Sequence, residues 1–388
     1  MNKFNSLFGQ ILQLFPRTQF EIFVKETGSA KAAKGFSCWT QFVAMLFCQL
    51  SRACSLREIC GGLATSLGKM VHLGLKAAPS RSTLAYANEH RPWQLYEKLF
   101  YHLLSICRRQ MNCRHKFRFK NKLLSFDASV IDLCLSMYDW AHFRSTKGAV
   151  KLHLLLDHAG YLPDFVNVTD GSIHEVNILK TLHFQPGTIV VIDRGLVDYN
   201  QWSVWTEHDV YFVTRLKSNA AYRVVKSNAV TPGKHIVKDQ IIELEGFYSK
   251  RKCPNRLRLI EKYNPDEDEQ PVIFITNNLK LAASTIAAIY KERWQIEIFF
   301  KTIKQNLRIK TFVGTSLNAV MIQIWTALIA VLVLKYLQAK SKMNWSLSNL
   351  VAMLRMNLLT YQDLWEWINH PYFKPPGKPA ALQQCLNF

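Results

Sequence analysis

Acidic residues are scarce in this chain: 28 Asp and Glu stand against 49 Lys and Arg in 388 residues, a formal charge of +21 at pH 7. That balance argues against a cationic partner and favours a polyanion, nucleic acid first and an anionic membrane surface second. Metal-binding cysteine patterns are lacking as well. The nine cysteines include no CxxC pair and no Cys/His ligand spacing. Cys54 with Cys60, and Cys107 with Cys113, are too loosely spaced for zinc, so the thiols read as reduced and structural in a cytosolic compartment. No apolar run reaches the roughly 20 residues that a bilayer requires. The nearest, Ala319 to Leu334, contains Gln323 and Thr326 and reads as a buried helix behind an active site. The first residues lack a small-residue cleavage site. Apolar Phe4, Leu7, Phe8, Ile11, Leu12 and Leu14 instead mark an amphipathic helix rather than a signal peptide. No internal repeat is present.

What is there divides into stretches of different rhythm. Residues 1–115 read as helical: Phe42, Met45, Leu46 and Leu50 recur at helical spacing, Ser55 with Glu58 forms a capping box, and Ser80 or Ser82 opens a further helix. Short helices joined by tight turns are compatible with a helix-turn-helix DNA reader. The run from Arg108 to Lys122 carries seven Lys or Arg, one His and no acid, with two phenylalanines between the charges. It suits a solvated linker or a track for a phosphate backbone.

After Lys122 the pattern turns to strands. KLLSFDASVIDL, GAVKLHLLLDHAG and YLPDFVNVTDG read as three, with Gly160 at a turn; a short helix from Glu175 to Leu182 follows. The continuous apolar run Thr188 to Ile192 suits a buried parallel strand. A helix in YNQWSVWTEH and a strand in DVYFVTRLK complete the order of a ribonuclease-H-like core. Residues 218–278 alternate in the manner of a β-rich insertion, with the acidic run 264–270 as an exposed loop. The remainder is helical up to a Pro-rich, extended end.

Two acids interrupt this core. Asp127 sits inside the apolar strand LSFDASVIDL, and Asp193 ends the strand TIVVIDRG. A buried unpaired carboxylate is costly, so each needs a partner or a metal. On parallel neighbouring strands both would face one crevice at the strand ends, where crowded anions and hard oxygen ligands favour Mg2+ or Mn2+. Taken singly, each aspartate reads more readily as a turn cap or a structural strand residue. The third element is YKERWQIEIFFKTIKQNL. At 100° per residue, Tyr290, Arg293, Glu297, Lys301 and Lys304 share one stripe of a helix, and Phe299, Phe300 and Ile303 lie on a neighbouring, sheet-packing face.

The spacing Tyr290–(2)–Arg293–(3)–Glu297–(6)–Lys304, joined to Asp127 in SFDAS, Asp193 in IDRG and the TDGSIHE stretch between them, resembles the signature of the IS4 family of insertion-sequence transposases. The likeness runs from about residue 120 to 340, and the helical N-terminal region also resembles that of the family. It implies a DDE enzyme that binds terminal inverted repeats and catalyses DNA cleavage and strand transfer. Asp127, Asp193 and Glu297 would be catalytic and hold two Mg2+ or Mn2+ ions. Tyr290, Arg293, Lys304, Lys301 and Arg194 would contact DNA, with His174 a possible accessory. The partners implied are double-stranded DNA, as transposon ends and target, and a second copy of the chain in a synaptic homodimer. No membrane is implied, and the location is cytoplasmic and nucleoid-associated.

The fold expected is α/β. A helical DNA-binding domain (1–115) precedes the first part of a ribonuclease-H-like core (120–217). The β-rich insertion (218–278), the catalytic helix with the end of the core (279–340) and a C-terminal helical tail (341–388) follow. One feature departs from the family: some relatives stack a flipped base on an insertion tryptophan, and this chain has none between Trp205 and Trp294. Tyr222, Phe247 and Tyr248 are the aromatic substitutes. The competing readings are a DNA-end-binding relative without activity, a nuclease on the same core without strand transfer and, far behind, a basic membrane-associated protein.

Overall fold

The structure, a computed structural model, describes residues 5–31, 35–66, 70–111, 116–133, 138, 140, 142–144, 147–230, 233–263, 265, 270–307 and 312–372. Phe4, the middle of the basic run (112–115), most of the acidic run 264–270 and the Pro-rich end past Tyr372 lie outside the described residues.

Among the described residues, six α-helices precede the first strand: α1 (Leu7–Gln13), α2 (Arg17–Glu26), α3 (Cys38–Ser51), α4 (Leu56–Ala64), α5 (Arg81–His90) and α6 (Gln94–Gln110). Serines start several of them. Ser37, Ser55 and Ser80 each accept an N–H from the third residue on, satisfying a donor that the first turn leaves unpaired. At Ser55 the capping box closes through Glu58, whose carboxylate accepts the Cys54 N–H at 2.8 Å.

The central segment supplies β1 (Leu123–Leu133), β2 (His142–Arg144), β3 (Lys147–Asp157), β4 (Leu162–Asp170), α7 (Glu175–Thr181), β5 (Ile189–Ile192), α8 (Tyr199–Glu207) and β6 (Tyr211–Arg215). After it come β7 (Tyr222–Ser227), β8 (Ile236–Leu244), α9 (Phe247–Lys252), β9 (Leu257–Lys262) and β10 (Val272–Thr276). Five helices close the chain: α10 (Ala283–Glu292), α11 (Trp294–Asn306), α12 (Leu317–Lys340), α13 (Leu347–Asn357) and α14 (Leu364–Asn369).

All ten strands join one sheet in the order β2-β3-β1-β5-β6-β10-β9-β8-β7, with β4 also on β3. β1, β5 and β6 run parallel, and β3 is antiparallel to both β1 and β4. This mixed sheet fits the ribonuclease-H-like core that the order of elements suggests. The stretch 218–278 is not set apart from it. β10 pairs with β6, and β9, β8 and β7 continue outward as further strands of the same sheet. The buried Asp239–Arg258 ion pair, doubly hydrogen-bonded at 2.8 and 2.7 Å, ties β8 to β9.

The two faces of the sheet have different covers, as the period-2 alternation of strand side chains requires. Leu124, Phe126, Val190, Ile192 and Phe212 pack with Trp202 and Trp205 of α8. Leu123, Ile189, Val191, Val213 and Phe274 pack under Ile286 and Ile289 of α10.

The helices before β1 share one core with α11, α12, α13 and α14. Helix α12 is almost wholly buried; 89% of its apolar window lies inside the protein. Its Trp325 packs against Phe100 and Tyr101, and Gln323 accepts the Val313 N–H at 2.9 Å. This is the apolar stretch Ala319–Leu334, serving as the central helix of the helical half. Helix α1 is held by the C-terminal region, Leu7 N–H donating to Thr360 O and Phe8 N–H to Leu358 O.

Part of the basic run is spent on the protein itself. Arg108 and Lys122 pair with Asp164, and Lys116 pairs with buried Glu292. Phe117 and Phe119 stack on each other against the core under α10. Its phenylalanines therefore lie against protein rather than along a phosphate track.

Candidate active site

The parallel register brings the two aspartates together. Phe126 stands beside Ile192, so the next step along both strands sets Asp127 beside Asp193. Alternation places both on the face covered by α10 and α11, since Asp127 follows Leu123 and Ser125 while Asp193 follows Ile189 and Val191. Helix α11 reaches the same place from above. Ile296, Phe299, Phe300 and Ile303 anchor it in a core shared with Ile131, Leu152 and Leu154 of β1 and β3. That anchoring leaves Glu297 facing the strand ends.

The three carboxylates share a cleft of roughly 420 Å³ with Arg293 and Glu175. Arg293 stands at its centre. One guanidinium nitrogen lies 2.7 Å from Glu297 Oε1 and 4.0 Å from Asp193 Oδ1, and the other lies 3.9 Å from Asp127 Oδ2. Each aspartate has its second oxygen held by backbone: Asp127 Oδ1 accepts the Ala128 N–H at 2.8 Å, and Asp193 Oδ2 accepts the Gly195 N–H at 3.0 Å. One oxygen of each is thereby left aimed at the cleft. Side-chain exposure is 24% for Asp127, 45% for Asp193, 33% for Glu297 and 15% for Arg293. Burial pushes the Asp127 carboxyl up to about 6; Asp193 and Glu297 add to the rise, and the Ala128 N–H and Arg293 oppose it.

The helix expected to run unbroken from Tyr290 to Lys304 is interrupted at Arg293. Tyr290 lies in the last turn of α10 and Glu297 in the first turn of α11. At the joint the Arg293 N–H donates to Tyr290 O and the Ile296 N–H to Arg293 O, three-residue spacings that tighten the backbone. The single stripe is thus divided. Tyr290 packs on Phe274 at 5.2 Å between ring centres, with the Arg293 guanidinium 5.6 Å from its own ring centre. Lys304 donates to Val130 O of β1 at 2.6 Å, whereas Lys301 and Arg194 are exposed. His174 precedes α7 in an exposed position, makes no side-chain capping bond and does not line the cleft.

Its neighbour Glu175 does, and the sequence reading missed it. Glu175 pairs at 3.0 Å with Lys151, a buried lysine that also donates to Ile173 O. Burial alone would raise the Glu175 pKa, but hydrogen bonds from its own N–H and from Lys151, with the charge on Lys151, hold it lower. The available signal was Lys151, a lone cation in the apolar strand AVKLHLLL. Trp294 was missed too: it is 58% exposed at the start of α11, beside Arg293. Of the aromatic candidates, Phe247 and Tyr248 are exposed on α9, while Tyr222 packs against the core.

The donor set consists of carboxylate oxygens, the kind that hard divalent cations take. Among the described residues, no group of three His, Cys, Asp or Glu side chains stands ready to hold an ion. The free oxygens of Asp127, Asp193 and Glu297 surround a guanidinium instead. They fit a metal in charge and donor chemistry once that cation moves aside.

Beyond Tyr290 lies a second cavity, of roughly 680 Å³, between α10 and the β6–β10–β9–β8 part of the sheet. Arg215, Lys234, Lys262 and Lys291 line it together with Phe274 and Tyr290, and no acid does among the described residues.

Comparison with known proteins adds a lineage. A family model described as the transposase DDE domain matches residues 118–333, and a domain of unknown function matches residues 3–76. The chain is 31% identical over 262 residues to a Sinorhizobium fredii protein named as transposase y4zB, covering 66% of this chain and 71% of that one. It is 28% identical over 270 residues to a Geobacillus stearothermophilus protein named as the transposase for insertion sequence element IS5377, covering 69% and 70%. A Synechocystis protein named as the transposase for element IS4SA is 28% identical over 152 residues, covering 38% of this chain and 41% of that one.

Proposed function

The chain belongs to the transposase DDE domain family, and on that premise we propose that Asp127, Asp193 and Glu297 are the acids with which this IS4-family insertion-sequence transposase cleaves and joins DNA. The observation that carries the assignment is their convergence on one guanidinium from β1, β5 and α11.

In this reading the three carboxylates hold two divalent ions, Mg2+ or Mn2+. Bound there, the ions supply activation of the attacking hydroxyl or water and stabilisation of the leaving 3′-oxygen. The chain's own groups do the positioning. The N–H groups of Ala128 and Gly195 each hold one aspartate oxygen, so that the other faces the reacting phosphate. Arg293 gives that phosphate a planar pair of donors, and Lys304 a point charge. Tyr290 lines the neighbouring cavity. There Arg215, Lys234, Lys262 and Lys291 neutralise the phosphates of a strand leaving the site. Lys301 and Arg194, both exposed, serve as further phosphate contacts. His174, through Glu175, belongs to the support of the cleft rather than to its reacting groups.

The substrate is double-stranded DNA carrying the element's terminal inverted repeats, with a target duplex for joining. Two chains hold two ends in a synaptic homodimer, in the cytoplasm on nucleoid DNA. The helices before β1 contribute to reading the ends. If a flipped base is stacked during the reaction, exposed Phe247, Tyr248 and Trp294 offer the faces.

The test uses supercoiled DNA bearing the element's ends, with Mg2+. The parent protein gives nicked and joined products; Glu297→Gln binds the ends but cuts at roughly a thousandth of the parent rate or less, as for groups acting as one unit. A soluble parent that binds ends and never nicks them overturns the assignment of these acids. Free 3′-hydroxyl ends without joined products would mark a nuclease.

A further inference from the structure

We propose that Arg293 is the resident cation of the carboxylate cleft: it holds the three acids in place until a DNA phosphate draws it off and divalent ions take over its position. The inference rests on the assignment of Asp127, Asp193 and Glu297 as metal ligands and adds an order of events to it.

Two anions on adjacent strands and a third on α11 cannot stay together in a half-buried cleft without positive charge among them. Arg293 supplies it. Its guanidinium is within ion-pairing distance of all three carboxylates and is the only cation lining the cleft among the described residues. A guanidinium and a divalent ion cannot both sit among these oxygens. While Arg293 is in place, metal entry is opposed by its charge and by its volume.

The seat is a poor fit for a permanent structural arginine. Of the three carboxylate contacts only that to Glu297, at 2.7 Å, is a hydrogen bond; 3.9 and 4.0 Å are too long. Arg293 Nε is buried without a partner, which a structural ion pair would avoid. A phosphate offers a better match, with oxygens placed for the planar fork. The side chain also springs from the joint between α10 and α11, so it swings without unwinding either helix. Tyr290 gives it a second surface, its ring centre already 5.6 Å from the guanidinium carbon. DNA and metal then bind cooperatively, each raising the other's affinity by the same factor. A transposase built this way carries little metal, and so little hydrolytic capacity, away from DNA.

The experiment measures Mn2+ binding to the full chain by calorimetry, with electron paramagnetic resonance of free Mn2+ as a second readout. It compares the parent, Arg293→Gln and Arg293→Lys, without DNA and with a saturating duplex. Asp127→Asn and the duplex alone serve as blanks. Without DNA, Arg293→Gln binds Mn2+ about tenfold more tightly than the parent, within the usual range of coupling between sites. Arg293→Lys, which keeps the charge, stays closer to the parent. Adding duplex tightens Mn2+ binding to the parent severalfold and to Arg293→Gln hardly at all. Equal or weaker binding by Arg293→Gln overturns the proposal. So does a parent whose Mn2+ affinity ignores DNA, a result that needs no variant to fold. Absence of Mn2+ binding above the blanks in every form, with or without duplex, overturns the metal-centre assignment as well.

Discussion

Arg293 and Glu297 form a 2.7 Å ion pair across one helical turn, in the first turn of α11, with the guanidinium also facing Asp127 and Asp193. Such pairs on an exposed helix contribute little. Here the arginine also relieves repulsion among three acids. Arg293→Ala therefore destabilises the DNA-free protein by about 1–3 kcal/mol, below the cost of breaking a fully buried pair because the carboxylates are partly wet. Millimolar Mg2+ restores much of the loss, so the variant's melting temperature rises with Mg2+ more than the parent's. Equal Mg2+ responses in the two proteins would argue that the acids do not need a cation.

DNA affinity should report the cations singly. Removing one phosphate contact lowers the slope of log K against log salt by about one. Lys234→Gln and Lys291→Gln are each expected to do so, and the double variant by about two, in anisotropy titrations on end-bearing duplex. Arg293→Gln is expected to lose a similar amount. Unchanged slopes for Lys234→Gln and Lys291→Gln would remove the second cavity from the DNA path and leave the cleft assignment standing.

Two buried histidines contribute to the acid limit of the fold. His153 pairs with Thr169 and His158 with Ser125, and burial drives the pKa of each down to about 4. Both stay neutral in the folded state but take up protons near 6.5 when unfolded. Their contribution is therefore fully present above about pH 6.5 and is lost as pH falls toward 4, by up to about 3 kcal/mol each. Asp127, with its pKa raised to about 6, acts in the opposite sense. Its contribution is full below the unfolded value and gone once pH has risen through 6. The histidines outweigh it, so urea midpoints should fall between pH 6.5 and 4.5, less steeply for His158→Gln. A variant with the parent's pH slope would show that His158 is not responsible.

The outer strands can be tested through Asp239 and Arg258. Both are buried, and each is the other's charge partner. Leaving either alone costs about 3–5 kcal/mol, whereas replacing both with apolar residues is close to neutral. Arg258→Met should melt early and Asp239→Leu/Arg258→Met near the parent temperature. If the 218–278 strands unfolded independently, the core transition in Arg258→Met would not move.

Much of the architecture was legible along the chain. Asp127, inside β1, and the apolar run of β5 were visible because burial on both faces of a parallel strand leaves long hydrophobic stretches. Ser55 with Glu58, and Ser80, marked helix starts because hydroxyls satisfy first-turn donors. The buried face Phe299–Phe300–Ile303 followed from helical period alone. Less legible was the break at Arg293: Tyr290 to Lys304 keeps one period throughout, and a single tightened turn leaves no compositional mark. Glu175 escaped because its place in the cleft depends on Lys151, more than 20 residues earlier and on strand β3.

By itself the sequence determined which residues are helical, which are extended, which side of each element is apolar, and which acids interrupt apolar strands. These follow from local periodicity and from the cost of burying charge. Tertiary structure alone decided that Asp127 and Asp193 stand abreast, that α12 gathers the first and last helices around one core, and that a guanidinium occupies the space among the acids. Those outcomes depend on strand register and on packing between segments far apart in the chain, and no local pattern encodes the distance between two side chains that meet only after folding.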